Sequence, residues 1–544
     1  MILTNMIQMN FSFKKLLLVT AALFFSICIF GKDNSFKKQL IDVKELMAKE
    51  DFTSAADKLE KMLIENPGDK ELSLNLGICY ISMDGNENKA IKYLETAVSK
   101  YPMKKKKNSQ AIESRFYLGQ AYHLNYNFNK AIETLEALKN EIPPHQKDLL
   151  SQIDEELQYN YNALELSKHP LKFKITNLGP TINTPYDEHS PVVSADETVL
   201  IFTSNRKGTG DLQTPDGLYY EDLYISQFRH NQWTEAENMG SPINTEGNNA
   251  SICLSADGKT LFIYQHDGIS GDIYKSEMTF DGWSTPEKLP KPINSQYSET
   301  HASMSVDGNT IFFSSDRPGG FGKKDIYMVR KLPDGEWGKV INLGPAVNTD
   351  GDEESPFIHP DGKTLYFCST EHNSMGGYDI FKTTLNDSSE WSTPVNIGYP
   401  INTPDDDLFY IPTANGLRVY FASRRAGGEG RSDIYLIEFD ENDPRSLGVV
   451  AGYIFNKKGE VFSEVTITLT EKETGEIMGY YRPNPSTGKY VMIVPVGKSY
   501  EATYVSVLGE IKKEIDVPGR ASYSNGNWAT YLDAVVVDDN EIVH

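Results

Sequence analysis

The sequence predicts a multidomain α plus β chain: α-helical repeats at the N-terminus, a five-bladed β-propeller in the middle and a small β-sandwich at the C-terminus. Three observations carry that prediction. An alanine-centred helical pattern returns after 34 residues, from Ala56 to Ala90. An Asp-Ile-Tyr-like triplet then occurs five times at intervals of 50, 53, 54 and 54 residues, a spacing that suits one four-stranded blade per copy. After the last copy, short strands separated by Gly turns fill about 90 residues, the size of a small sandwich.

Composition agrees. At roughly 100–200 residues per domain, 544 residues hold three or four units, and 30 Tyr and 25 Phe in a chain only 39% hydrophobic favour strands. The net charge of −23 repels phosphate backbones, so nucleic acid is not an expected partner. Only the N-terminus holds a long apolar run, which excludes a polytopic membrane protein.

That run sets the expected compartment. Lys14 and Lys15 precede Leu16 to Phe30, and Gly31 follows, the order of a secretory signal peptide spanning residues 1–31. The chain is therefore expected to be exported to the periplasm, with peripheral association at the outer membrane. Ile27 is too large for the residue before a lipidated cysteine, which argues against lipidation at Cys28. Cys79, Cys253 and Cys368 have neither disulfide nor zinc spacing and read as small buried hydrophobes.

Residues 36–169 are helical in pattern. SAADKLEKML, NKAIKYLETAV and NKAIETLEALK each run into a proline turn, at Pro67, Pro102 and Pro143, while LGICY and LGQAY supply partner helices in which Gly permits close approach. The 41-residue second interval, Ala90 to Ala131, is stretched by the lysines at 104–107. The segment resembles about three tetratricopeptide repeats with a closing helix near Gln146 to Leu166. The resemblance implies either a concave groove for a partner peptide or helix, or a spacer that presents the next domain.

Residues 173–442 hold the five copies, with triplets at Asp222, Asp272, Asp325, Asp379 and Asp433. Upstream of each lies a tight turn (Asp196-Glu197, Asp257-Gly258, Asp307-Gly308, Asp361-Gly362, Asn415-Gly416) and then an aromatic strand. Downstream, Trp233, Trp283, Trp337 and Trp391 mark a fourth strand ending at an Asn-Leu-Gly-like point. The fifth copy lacks that strand, and Phe173 to Gly179 is expected to supply it and close the ring. The copies resemble the WD-like repeats of TolB-type propellers, most closely in Ser305–Tyr327 and His359–Phe381. Ser-x-Asp-Gly pieces such as Ser255–Thr260 also resemble sialidase Asp boxes, but they read as hairpin turns.

In a propeller the loops before the first strand and after the second gather on one face. Here the former carry Glu188, His189, Glu299, His301, Glu354 and Asp406, and the latter Arg206, Arg317, Lys323, Lys324, Arg424 and Arg425. These twelve form the candidate partner-binding face, for a protein or a glycan. The alternative is that they pair within the loops and hold neighbouring blades together. His189 and His301 lie in different copies without HExxH spacing, and no G-x-S-x-G elbow occurs, so neither metal, cofactor nor nucleophile is expected.

Residues 445–540 read as strands VVAGYIF, EVTITLT, KYVMIVPV and YEATYVS, and resemble carboxypeptidase regulatory-like domains through GYIFNKKGE, TGKY and VPVGKSY. Such domains are usually non-catalytic. The three parts together resemble OmpA-family envelope proteins, some of which serve type IX secretion and gliding, though the sequence ends at His544 without an OmpA-like domain. The resemblance implies a non-catalytic periplasmic scaffold whose helical repeats and propeller face bind envelope proteins. The alternative is a glycan- or peptide-binding receptor, or a hydrolase, with Glu188, Glu299, Glu354 and the loop arginines lining its channel.

Overall fold

A computed structural model describes residues 34–83, 86–103, 109–210, 213, 218–266, 271–425, 427–439, 447–519 and 529–537. The expected signal peptide, Cys28 included, lies outside them. Seven helices come first: α1 (Asn34–Ala48), α2 (Phe52–Glu65), α3 (Lys70–Ile81), α4 (Glu87–Lys100), α5 (Ser109–Leu124), α6 (Phe128–Glu141) and α7 (Lys147–Leu166). They are consistent with tetratricopeptide repeats. Ala56, Ala90 and Ala131 are buried where α2, α4 and α6 meet their neighbours. A Cβ on Gly77 would stand 2.5 Å from Leu94 Cγ, and one on Gly119 2.6 Å from Leu135 Cγ, so only glycine lets these helices approach so closely. A second signature repeats beside it. Tyr80 donates to Glu60, Tyr122 to Glu95 (2.6 Å) and Tyr161 to Glu136 (2.6 Å), each tying a helix to the one before it.

Five antiparallel sheets follow between Phe173 and Phe439 among the described residues. Sheets 1 to 5 have first strands Glu188–Val193, Asn249–Leu254, Glu299–Met304, Glu353–Ile358 and Asp407–Pro412, and third strands that open on or beside the five aspartates of the triplets. Each sheet contacts the next, and the fifth contacts the first. Phe173–Asn177 pairs antiparallel with Asp433–Phe439, Phe173 opposite Phe439, and completes the fifth sheet. The tryptophans depart from the expected fourth strand. Trp233 and Trp283 sit in two-residue strands, and Trp337 and Trp391 make single bridges, because the chain bends away just after them. In three copies, hydroxyls of Thr234, Ser284 and Ser392 accept from third-strand N–H groups in place of ladder bonds. The outer edge re-forms as two residues at Asn238, Asn342 and Asn396.

A buried side-chain clamp joins consecutive sheets. Asn183, Asn244, Asn294, Asn348 and Asn402 each accept from the N–H and donate to the C=O of one residue, respectively Ile434, Leu223, Ile273, Ile326 and Ile380. That residue follows the triplet Asp of the preceding sheet, or of the fifth sheet in the case of Asn183. The Asp is held as well: Asn177, Asn238, Asn342 and Asn396 donate to Asp433, Asp222, Asp325 and Asp379 at 2.6–2.8 Å.

Two more sheets lie between Leu447 and Val537. One is antiparallel throughout, and the other adds short parallel pairings of Leu447–Asn456 with Thr530–Tyr531 and Val535–Val537. Ile477–Tyr481 and Gly509–Asp516 are strands that the sequence reading did not assign. Cys79, Cys253 and Cys368 are free and buried, and burial pushes the Cys253 thiol up to about 11. No helix among the described residues is long and apolar enough to cross a membrane.

Both ends of the ring carry other parts of the chain. On the loop side, α7 is bonded through Tyr159 Oη to Thr370 O (2.9 Å) and Asn162 Nδ2 to Ser374 O (2.7 Å), and Phe128 and Ala163 enclose Met375. On the hairpin side, Lys489 pairs with Asp196, Tyr531 Oη donates to Asp196 Oδ2 (3.1 Å), and Val449, Ala451 and Val491 pack on Ala414.

Asn348→Ala should lower stability by about 1–3 kcal/mol, because the Ile326 N–H stays buried without its acceptor while the C=O keeps only the Leu343 N–H; chemical denaturation measures it. Gly119→Val should cost a similar amount, about 1–3 kcal/mol, through overpacking against Leu135.

Candidate interaction site

Every first strand opens on a buried polar residue, Glu188, Asn249, Glu299, Glu353 or Asp407. The hydroxyl four residues earlier bonds it: Thr184, Thr245, Ser295, Thr349 and Thr403, at 2.6–3.0 Å. In sheets 1, 3, 4 and 5 a second-strand serine adds a bond, from Ser204, Ser315, Ser369 and Ser423. In sheets 1, 3 and 5 an arginine completes the arrangement: Arg206 to Glu188 and Arg317 to Glu299 at 2.9 Å, and Arg425 to Asp407 at 3.7 Å. Each guanidinium lies over two rings of its own sheet, Phe202 and Tyr224, Phe313 and Tyr327, or Phe421 and Tyr435. These groups hold loops to strands. Glu188 and Glu299, expected on the partner-binding face, are 0% exposed and sealed in these bonds, while Arg206, Arg317 and Arg425 are half-buried beside their carboxylates.

Sheet 4 breaks the pattern. Its residue in this series is Glu353, not Glu354, and Glu371 stands where sheets 1, 3 and 5 have arginine. His372 packs against the same rings instead, edge-on to Phe367 and tilted on Phe381, and bonds Val347 O at 3.0 Å. Burial pushes the Glu353 carboxyl up to about 7, opposed by hydrogen bonds from Thr349 and Ser369.

The structure brings four candidates to the centre, where residues of different sheets meet. Glu354 accepts from Lys324, from His301 Nδ1 (2.5 Å) and from Thr300 Oγ1 (2.8 Å). Burial opposes its charge, yet Lys324 and His301 hold its carboxyl well below the ordinary value. His189 Nε2 lies 3.3 Å from Glu221 Oε1, and Phe409 packs against both imidazoles. Among the described residues no group of three or more His, Cys, Asp and Glu is placed to hold a metal.

Lys323 and Asp406 border a different feature, a cleft of about 410 Å³ between α5 and α7 on one side and loops of sheets 3 to 5 on the other. Five carboxylates line it, of Glu155, Glu156, Asp350, Glu371 and Asp406, besides Asp154, which pairs with Lys139. Lys323 is the lysine of the lining, and Arg424 acts on Asp406 from outside it. Asp406 Oδ1 accepts from Tyr378 N at 2.9 Å, and burial together with Asp405 pushes its carboxyl up to about 6 against the pull of Arg424. His123 sits at the base, 3% exposed, with Nδ1 2.9 Å from Asn160 Oδ1. The sequence reading missed this cleft, whose walls lie some two hundred residues apart along the sequence.

A family model of the tetratricopeptide repeat matches residues 46–111. No curated protein matches the chain. Among solved structures it is similar to a glycosyl hydrolase from Bacteroides ovatus (10% identity, 51% of this chain and 96% of that chain, TM-score 0.33) and to an alpha-L-arabinofuranosidase from Lactobacillus brevis (12%, 52% and 94%, TM-score 0.31). A puromycin hydrolase is also similar (11%, 62% and 47%, TM-score 0.28). Likenesses this distant carry no argument about chemistry.

The Glu353 carboxyl gives a test of this geometry. An acid whose folded pKa is raised binds more protons folded than unfolded, so its contribution is present below the ordinary value of 4.5 and is lost as pH rises through about 7. Denaturation midpoints measured across that window should fall less steeply with pH in Glu353→Gln than in the parent.

Proposed function

We propose that this chain is a non-catalytic interaction protein of the cell envelope, exported on its N-terminal apolar run and peripheral to the outer membrane. In this reading the five sheets are the blades of a five-bladed propeller, the last two sheets are a small sandwich, and the helices are tetratricopeptide repeats that grip one partner. A secretion or gliding assembly is the setting that the family resemblance suggests. The carrying observation is the use made of the loop charges. Glu188, Glu299 and Asp407 bind their own arginines and hydroxyls, and Glu354 is bonded by Lys324, His301 and Thr300. Groups so engaged serve architecture rather than acid–base chemistry. The competing receptor or hydrolase reading needs Glu354 available to a substrate, against those three bonds.

Crosslinking the full chain in cells, followed by affinity purification, should capture a defined set of envelope proteins. Lys44→Glu with Asn75→Arg, on α1 and α3 near the Lys44–Glu71 ion pair, should deplete that set while the circular dichroism stays unchanged. Turnover of any member of a glycan and peptide panel by the purified chain, abolished in Glu354→Gln, would overturn the reading.

A further inference from the structure

The loop that seats the arm lacks a bond that its counterparts make. Loops of equal length lead into the third strands of sheets 3, 4 and 5, at Asp325, Asp379 and Asp433. Phe321 N and Gly322 N donate to the two oxygens of Asp325, at 2.7 and 2.9 Å, and Glu429 N and Gly430 N to those of Asp433, at 2.6 and 2.9 Å. In sheet 4, Met375 N (2.9 Å) and Asn396 Nδ2 (2.7 Å) both donate to Asp379 Oδ2, while Oδ1 is buried with no hydrogen-bond partner. One residue accounts for the difference. Gly320 and Gly428 lie so close to their aspartates that a Cβ would stand 2.5 and 2.7 Å from Oδ2, and sheet 4 has Ser374 in that place. The same stretch carries the arm: Ser374 O accepts from Asn162 Nδ2, and Met375, 0% exposed, packs on Phe128 and Ala163. Met375 is therefore held by Asp379 at its N–H and by the arm at its side chain.

We propose that this junction is a proton-sensitive latch. The arm stays seated while Asp379 is a neutral carboxyl, and ionisation of Asp379 unseats Met375 and frees the arm to turn about the exposed residues 168–170. A carboxylate with one bare oxygen is costly to keep from water, and a carboxylic acid much less so. Burial raises the Asp379 carboxyl well above its ordinary range, against the Met375 and Asn396 bonds, and Asp407 and Asp406 of sheet 5 add to the rise. Arg425 and Arg424 bear on those two aspartates. On the arm side, α7 contributes Tyr159, Glu155 and Glu156; Glu371 lies on the loop itself, and Lys323 lines the cleft beside them. His123 of α5 and His372 of the loop are held below the usual imidazole range by burial, so neither brings a cation at neutral pH. A carboxyl raised by docking contributes fully to docking at low pH, and that contribution is lost as pH rises through the docked value. The latch concerns how two parts of one chain sit together, and it holds whatever the arm grips.

Hydrogen exchange and small-angle scattering of the full chain, measured together from about pH 5 to about pH 9, test the latch. Above the docked value, opening of the Met375 N–H, corrected for the intrinsic pH dependence of exchange, should grow toward about tenfold per pH unit. The radius of gyration should rise in step while the circular dichroism stays unchanged. Glu353, Asp406 and Asp407 titrate in the same region, so variants separate them from Asp379. Asp379→Asn, which matches the neutral acid in shape, should remain seated at every pH, and Glu353→Gln should keep the parent's response. Met375→Ala should show at low pH the radius that the parent reaches at high pH. Opening at Met375 without a change of radius overturns the proposal, as does a pH-independent parent or a response that survives in Asp379→Asn. If Asp379→Asn does not fold, Met375→Ala decides, and a radius equal to the parent's at low pH overturns the proposal.

Discussion

A side-chain amide that takes both polar groups of one buried peptide residue is the constraint on which the ring depends. Each linker between sheets must leave the outer edge of one sheet and enter the inner strand of the next, and it has no ladder of its own to fix its path. The Asn of the Ile/Val-Asn-Thr/Ser run supplies the missing bonds by pairing with the residue after the triplet Asp. The hydroxyl residue that follows then bonds the first polar residue of the next inner strand. Two adjacent side chains therefore specify where one sheet ends and the next begins, and the same pair recurs at all five junctions.

The closing junction shows why the chain order matters. Asn183 and Asn177 lie near the start of the sheet region but bond Ile434 and Asp433 near its end. Together with the ladder of Phe173–Asn177 on Asp433–Phe439, they join sequence positions some 250 residues apart. That closure covers the edge of Asp433–Phe439 with a fourth strand.

Much of this was legible because it repeats. The triplet interval, the hairpin turns and the missing fourth strand of the last copy point to the sheets and to the strand that completes them. The Ile-Asn-Thr runs at 182–184, 243–245 and 401–403 were also present in the sequence, but a polar loop motif does not reveal that its side chain replaces backbone ladder bonds. Charges were harder to read. Glu188 and Arg206 look like surface groups in sequence, and only the fold shows a carboxylate sealed beneath hydroxyls with a guanidinium stacked on aromatic rings. Glu353 and Glu354 are successive strand residues and so point to opposite faces, while Asp406 lies in the loop just before the strand that Asp407 opens, so choosing the wrong member of either pair changes its whole role. The cleft was illegible, since its helical wall and its loop wall are joined only by tertiary packing.

The two exceptions to the carboxylate–arginine pairing differ in kind. Sheet 2 lacks the cation and also lacks the anion: Asn249 stands in the carboxylate position and Gln265 bonds it at 3.0 Å. Sheet 4 lacks the cation alone, and burial pushes its Glu353 up to about 7, as it does Asp407 of sheet 5 even against the pull of Arg425. The loop that lost the arginine is the one on which α7 docks, through Thr370 and Ser374. An arginine at position 371 would lie over the sheet's own rings, as its counterparts do; Glu371 instead lines the cleft beneath the helices. His372 keeps that loop on its own sheet, and Glu371 adds a negative charge at the junction where the helical arm is seated. Specialisation of one repeat out of five therefore accounts both for where the arm sits and for the acidity of the space beside it.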